Sequence, residues 1–389
     1  MTVTLLCFAA LIFFVAGMHP FITYPLSLLL ITRLRPRRDK CLTAAPPRHF
    51  GSADFTICMC AYNEAHIICK KAQNLLALRE REPGLEILIY VDAASDATAQ
   101  LLRAYEPHIN GHVSTERLGK TYGMNLLAAR ATGSVLIFTD ANVMLDLDCI
   151  QHLRQSFADP EVGCVGGHLS YTNGDASVTA STGALYWRLE EGIKILEEKT
   201  GSVMGADGSL FAVRKSLHRP PPNHIIDDMY VSFMVLLNGY RVVQSKHACA
   251  YEPSASSTQE EFGRKSRIAC QAFNVHRLLW PSLRKMDALT IYKYLSHKLM
   301  RWLSIYFIAL SVLCVLAAIA VSGYVGLACA LALTGVLLLS LGWHWSIKPF
   351  AQIVDVLLSL TGAGLGVWKS LRGERYQTWT PVATVRKAE

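Results

Sequence analysis

Residues 4 to 32 form an apolar run longer than the roughly 20 residues a helix needs to cross a bilayer. Two more runs of spanning length, 303 to 321 and 325 to 341, stand near the other end of the chain. Backbone in hydrocarbon has to satisfy its hydrogen bonds internally, so these runs fold as helices. The apolar residues are concentrated at the two ends. At 51% hydrophobic and 17% charged, the 389-residue chain is too apolar for a soluble protein of its size. Basic residues cluster beside the first run, as Arg33-Leu34-Arg35-Pro36-Arg37-Arg38. That pattern places the following segment in the cytoplasm and the N-terminus outside. It also accounts for the net charge of +8 without a nucleic-acid footprint. No charged segment precedes the first run and no clear small-residue cleavage site follows it, which favours an anchor over a removed signal peptide. Pro20 and Pro25 predict a kink within it. The eleven cysteines include no Cys-x-x-Cys pair, so they read as reduced thiols with no zinc site.

Between the ends the pattern alternates. Strands are expected at 55–60, 86–91, around Val113 and at 135–139, with helices at 64–79, 96–105, 122–130 and 147–157. Repeated βα units of this length predict an α/β domain with a mainly parallel sheet and helices on both faces. Cys58 and Cys60 fall on one face of the first strand, in the core. A helix is expected at 180–199, a tight turn at Gly205-Ala206-Asp207-Gly208-Ser209 before the strand 210–213, and a helix from Asp227-Asp228 to Asn238.

Ligands of open α/β sheets sit at the carboxyl ends of strands. Three strand ends here are polar: Asn63-Glu64, Asp92 to Asp96, and Asp140-Ala141-Asn142. Asp140 and Asn142 offer hard oxygen ligands suited to Mg²⁺ or Mn²⁺ on a diphosphate; the alternative is a strand-ending aspartate that caps a turn. Gly119-Lys120-Thr121 lacks the earlier glycine of a P-loop, Ser114 standing there instead. Lys120 at a helix start still suits a phosphate, unless it is simply solvated. Asp227 fits an N-cap. Asp228 needs another explanation, and a carboxylate kept ionised in a first helical turn is what a general base requires. Arg264 and Arg267 share one face of the helix expected at 258–280, as phosphate or acceptor ligands or as a solvated basic face.

Residues 292 to 302 read as an amphipathic interfacial helix. The run 350–367 contains Gln352 and Asp355, and the tail after it, 369–387, is basic. If that tail is cytoplasmic, an even number of spans separates it from the central domain, so 350–367 is expected to be interfacial or re-entrant.

These residues, in this order over more than two hundred positions, resemble the membrane-bound family 2 inverting glycosyltransferases of the cellulose- and hyaluronan-synthase kind. The resemblance implies an N-terminal transmembrane helix (1–35), a linker (36–53), a GT-A type catalytic domain (54–285) and a C-terminal part (286–389) with an interfacial helix, transmembrane helices and a basic tail. It implies donor contacts from Glu64, Asp92, Asp96, Lys120, Asp140, Asp207, Arg264 and Arg267. Asp140 and Asn142 would hold Mg²⁺ or Mn²⁺, and Asp227-Asp228 would be the acidic pair whose second member is the base. The implied partners are a nucleotide-sugar, such as a UDP-sugar, a glycan or lipid-linked acceptor, membrane lipids and partner subunits, in a bacterial inner membrane. Two departures stand out. Asn142 replaces the second carboxylate of D-x-D, which weakens the case for a metal. Ile268 replaces the tryptophan that follows the late arginine in polymerising members. A glycolipid synthase and a donor-binding subunit without catalysis are the alternative roles.

Overall fold

The computed structural model describes residues 1–34, 50–172, 178–253, 257–345 and 347–378. Most of the expected linker and the far end of the basic tail lie outside the described residues. The first apolar run is not one helix. It forms α1 (Thr2–Met18) and α2 (Thr23–Leu34), bent by 66° across a break that contains Pro20, while Pro25 falls in the first turn of α2, where a proline is tolerated. The two helices have different surroundings. Leu5, Phe8 and Leu11 of α1 are exposed, whereas Tyr24 and Leu28 of α2 are fully buried.

The central domain begins with four parallel strands, β1 (Phe55–Ala61), β2 (Glu86–Asp92), β3 (Asn110–Ser114) and β4 (Val135–Asp140). The helices between them are α3 (Ile68–Arg81), α4 (Thr98–Arg103) and α5 (Lys120–Arg130). Here the apolar periodicity and the fold agree. The faces alternate along β1: Ile57, Met59 and Ala61 pack with α3, while Cys58 and Cys60 pack toward Met124 and Leu127 of α5. Helix α3 starts later than expected, leaving Glu64 in a loop.

Beyond β4 the sheet is mixed, which corrects the mainly parallel expectation for that half. The elements are β5 (Met144–Leu145), α6 (Cys149–Phe157), β6 (Val162–Tyr171), α7 (Val178–Lys199), β7 (Leu210–Arg214), α8 (Asp227–Leu237) and β8 (Arg241–Glu252). The strand order is β3-β2-β1-β4-β7-β6-β8-β5, with β7 antiparallel to both β4 and β6, and β5 antiparallel to β8. Strands β6 and β8 were not expected. Gly163, Gly166 and Gly167 lower the strand propensity of β6, yet tertiary packing requires two of them: a Cβ on Gly163 or Gly167 would meet Val235 or Leu210 at 2.6 Å.

The remaining helices are α9 (Thr258–Leu283), α10 (Ala288–Tyr294), α11 (Met300–Val321), α12 (Val325–Trp345) and α13 (Phe350–Leu371), with a π-helical turn at Leu295–Leu299. Among the described residues, three helical segments, 288–321, α12 and α13, are long and apolar enough to cross a membrane, and the bent pair α1–α2 is so when taken together. They differ in surroundings. The apolar window of α12 is 11% buried and that of α13 is 44% buried. Helix α13 lies along α9. A Cβ on Gly366 would stand 2.5 Å from the Ser266 carbonyl oxygen, and Lys265 Nζ, Thr258 Oγ1 and Arg277 Nη1 donate to Ser359, Asp355 and the Ser370 carbonyl. The chain then continues across the central domain: Gln271 Nε2 donates to the Tyr376 carbonyl (2.9 Å) and Gln377 Nε2 to the Leu118 carbonyl (3.0 Å).

Candidate active site

The site is a cavity of about 270 Å³ at the carboxyl ends of the central strands. Each wall follows from a local feature of the chain. β1 runs out into the loop that carries Glu64. β4 is buried until its last residue, so Asp140 emerges at its end. Gly119, at φ +92°, turns the chain into α5 and makes Lys120 its first residue. A Cβ at this glycine would be strained and would stand 2.0 Å from the Gln377 carbonyl oxygen. Asp227 and Asp228 occupy the first turn of α8; neither is the N-cap, a position held by Ile226. Helix α9 adds Arg264, Arg267, Ile268 and Gln271.

Lys120 Nζ lies 2.7 Å from Asp140 Oδ1. A Cβ placed on Gly208 would be 2.9 Å from Asp228 Oδ2 and 3.6 Å from Lys120 Nζ. Lysine, base candidate and glycine turn therefore meet at one point. Asp207 accepts from the Ser209 amide (3.0 Å) and hydroxyl (2.6 Å) and fixes that turn. Asn142 Nδ2 donates to Glu252 Oε1 at 2.9 Å.

Of the expected residues, the structure brings Glu64, Lys120, Asp140, Asn142, Asp207, Asp227, Asp228, Arg264 and Arg267 into this cavity. Asp92 and Asp96 do not line it. Asp92 is fully buried and its carboxylate accepts from the Leu118 amide (2.8 Å) and the Gly119 amide (3.0 Å). It anchors the turn that presents Lys120. Asp96 accepts from the Ala65 and Thr98 amides and ties the Glu64 loop to α4. Their physical role here is to hold the cavity's walls.

Glu252, Gln271 and Gln377 also line the cavity and were not anticipated. Glu252 ends β8 as Asp140 ends β4, and Pro253 follows it. The same strand-end signal would have found it had β8 been recognised. Ile268, at the position where tryptophan is expected in polymerising relatives, also lines the cavity.

The charges do not balance. The lining holds six carboxylates against Lys120, Arg264 and Arg267. Burial, with Asp227 and Asp207 adding to it, pushes the Asp228 carboxyl up to about 7 against the pull of Lys120. Burial also pushes Glu252 to about 7; Asp140 and Asp207 add to this, and Arg264 and the Asn142 hydrogen bond oppose it. Burial alone would lower the Lys120 ammonium, but Asp140 and Asp227 outweigh it and raise the pKa above the ordinary lysine value. Burial and then Arg264 bring the Arg267 guanidinium down to about 10. Asp227 Oδ2 is buried with no hydrogen-bond partner. An added cation would relieve this excess of negative charge. Among the described residues, no three His, Cys, Asp or Glu side chains converge as a metal cage. That suits Mg²⁺ or Mn²⁺ held by one or two carboxylates and completed by phosphate oxygens. The residues present fit such an ion.

The model of the family described as glycosyl transferase family 2 matches residues 56–219, the segment from β1 to just past β7. This segment is thus similar to glycosyl transferase family 2. An N-acetylglucosaminyltransferase of Rhizobium meliloti (strain 1021) is 23% identical over 224 residues, covering 53% of this chain and 52% of that protein. An N-acetylglucosaminyltransferase of Rhizobium sp. (strain N33) is 22% identical, covering 46% and 44%. The chain thus spans about half the length of the curated relatives it matches. Among solved structures, mannosyltransferase PcManGT from Pyrobaculum calidifontis, in complex with GDP-Man and Mn²⁺, superimposes with a TM-score of 0.68 at 20% identity. The match covers 95% of this chain and 99% of that one. The likeness establishes a shared GT-A type fold that extends into the C-terminal helices.

Proposed function

We propose that the protein transfers a sugar from a nucleotide-sugar donor to an acceptor at the membrane surface, with inversion at the anomeric carbon. The observation that carries this reading is the meeting of Asp228, Gly208 and Lys120 at one point beside Asp140. Asp228 takes the proton from the acceptor hydroxyl as that oxygen attacks. A carboxyl with a pKa of about 7 is matched to this task near neutral pH. Lys120 moves from Asp140 to the developing negative charge of the departing diphosphate, and Arg264 or Arg267 adds to it. Glu64 stands where the nucleoside would lie. Asp140, with Asn142, would hold a divalent ion, which would supply charge neutralisation at the leaving group.

The relatives' printed names support N-acetylglucosamine as the sugar, and the solved neighbour supports Mn²⁺ as the ion. Ile268 gives the acceptor no aromatic face, which favours a short product over a polymer. We read α1, α11 and α12 as the spans of a bacterial inner-membrane protein. Helices α2 and α13 then lie in the interface, because each packs polar or buried faces on the catalytic domain. Detergent-purified protein should release UDP from UDP-N-acetylglucosamine with Mn²⁺ and lose that activity with chelator. Absence of turnover with UDP-N-acetylglucosamine, UDP-glucose and GDP-mannose, each supplied with membrane lipid as acceptor source, would remove the catalytic reading.

A further inference from the structure

Asn142 leaves the strand-end motif one carboxylate short. We propose that Glu252 supplies the missing carboxylate of the divalent-cation site and that Asn142 positions it. The proposal rests on the nucleotide-sugar reading above. Two separate observations place Glu252 there. The short strand β5 follows Asn142 and pairs with β8, Met144 opposite Tyr251 and Leu145 opposite Ala250. The metal-loop backbone is therefore stitched to β8 immediately before Glu252, and the Asp146 amide adds a bond to the Cys249 carbonyl at 3.0 Å. The side chains then meet directly, Asn142 Nδ2 donating to Glu252 Oε1 at 2.9 Å.

The chemistry explains why the pair works where a single aspartate would otherwise stand. An asparagine amide has donor and acceptor ends. With Nδ2 committed to Glu252, Oδ1 remains an acceptor for a cation, while the bond orients a carboxylate that brings full negative charge. Glu252 is 8% exposed and lines the cavity. A buried carboxylate is costly unless a positive partner reaches it. Arg264, whose charge also reaches Glu252, is paired with Glu261 at 3.5 Å. A divalent ion between Asp140 and Glu252 is the partner that completes the set.

The test is Mn²⁺ binding, followed by electron paramagnetic resonance of free Mn²⁺ in titrations of the detergent-purified full chain with UDP, and separately with GDP. Variants are E252Q and N142D/E252Q, with thermal unfolding to confirm folding. The expected result is a loss of affinity on the order of tenfold or more in E252Q. N142D/E252Q, with its carboxylate returned to the strand-end motif, should recover most of it. Wild-type affinity in E252Q overturns the inference. So does a loss that the double variant fails to recover, which would assign Glu252 to holding α9 through Arg264. Wild-type protein that binds no Mn²⁺ with either nucleotide brings down the cation reading itself, and this inference with it.

Discussion

Replacing Asp228 by asparagine should make the protein more stable and nearly inactive, and the size of both effects follows from the site. Burial, and then crowding by Asp227 and Asp207, push the Asp228 carboxyl up from the ordinary 3.8 to about 7. A group whose folded pKa is raised contributes stability that is fully present below its unfolded pKa. That contribution is lost as the pH rises through the folded value. The gap corresponds to about 4 kcal/mol at alkaline pH. Asp228 keeps some solvent contact, so roughly half of this, about 2 kcal/mol, is the working figure. Asparagine carries no charge and escapes the penalty. At pH 8 the D228N protein should therefore unfold several degrees above wild type, at about 2–4 °C per kcal/mol. The difference should shrink toward zero by pH 4. Loss of the base should lower turnover by about 10²- to 10⁴-fold. The assays are intrinsic-fluorescence melts in detergent at pH 4, 6 and 8, and donor turnover at pH 8. A D228N melt equal to or below wild type at pH 8 would refute the crowding argument. Turnover above about a tenth of wild type would refute the assignment of the base.

Two further expectations concern the segment after α13. Gly119→Ala places a methyl where the Gln377 carbonyl stands and strains a φ of +92°. Trypsin should then cut after Arg375 faster than in wild type, while stability falls by only about 1–3 kcal/mol; an unchanged cleavage rate would show that the segment does not depend on this contact. A green fluorescent protein fused after Glu389 and expressed in a bacterium should fluoresce, as expected on the cytoplasmic side. A dark fusion with intact expression would mean that α13 crosses the membrane.

The catalytic half nearest the N-terminus was legible because its signals are local. A buried β-branched run ending in Asp140, repeated βα spacing and the Gly119-Lys120 turn each declare themselves within a few residues. So did the bend in the first apolar run, since proline acts on its own backbone. The apolar ends and the basic residues beside them likewise identified membrane-capable helices without any tertiary information.

What sequence alone left open depends on partners far along the chain. Strand β6 looks too glycine-rich for a strand until Val235 and Leu210 are packed against it. Asp92 and Asp96 carry the same charge as Asp140, yet the fold commits them to amides of neighbouring loops and leaves Asp140 in the cavity. Glu252 reaches the site because β8 pairs along β6, with Tyr171 opposite Glu252, and with a two-residue strand more than a hundred positions earlier. Helix α13 has the hydropathy of a span, but the polar contacts of α9 decide its surroundings. Residue type and local spacing determined which chemistry the chain carries. Long-range packing, which sets burial and therefore charge, decided which of several similar carboxylates line the cavity.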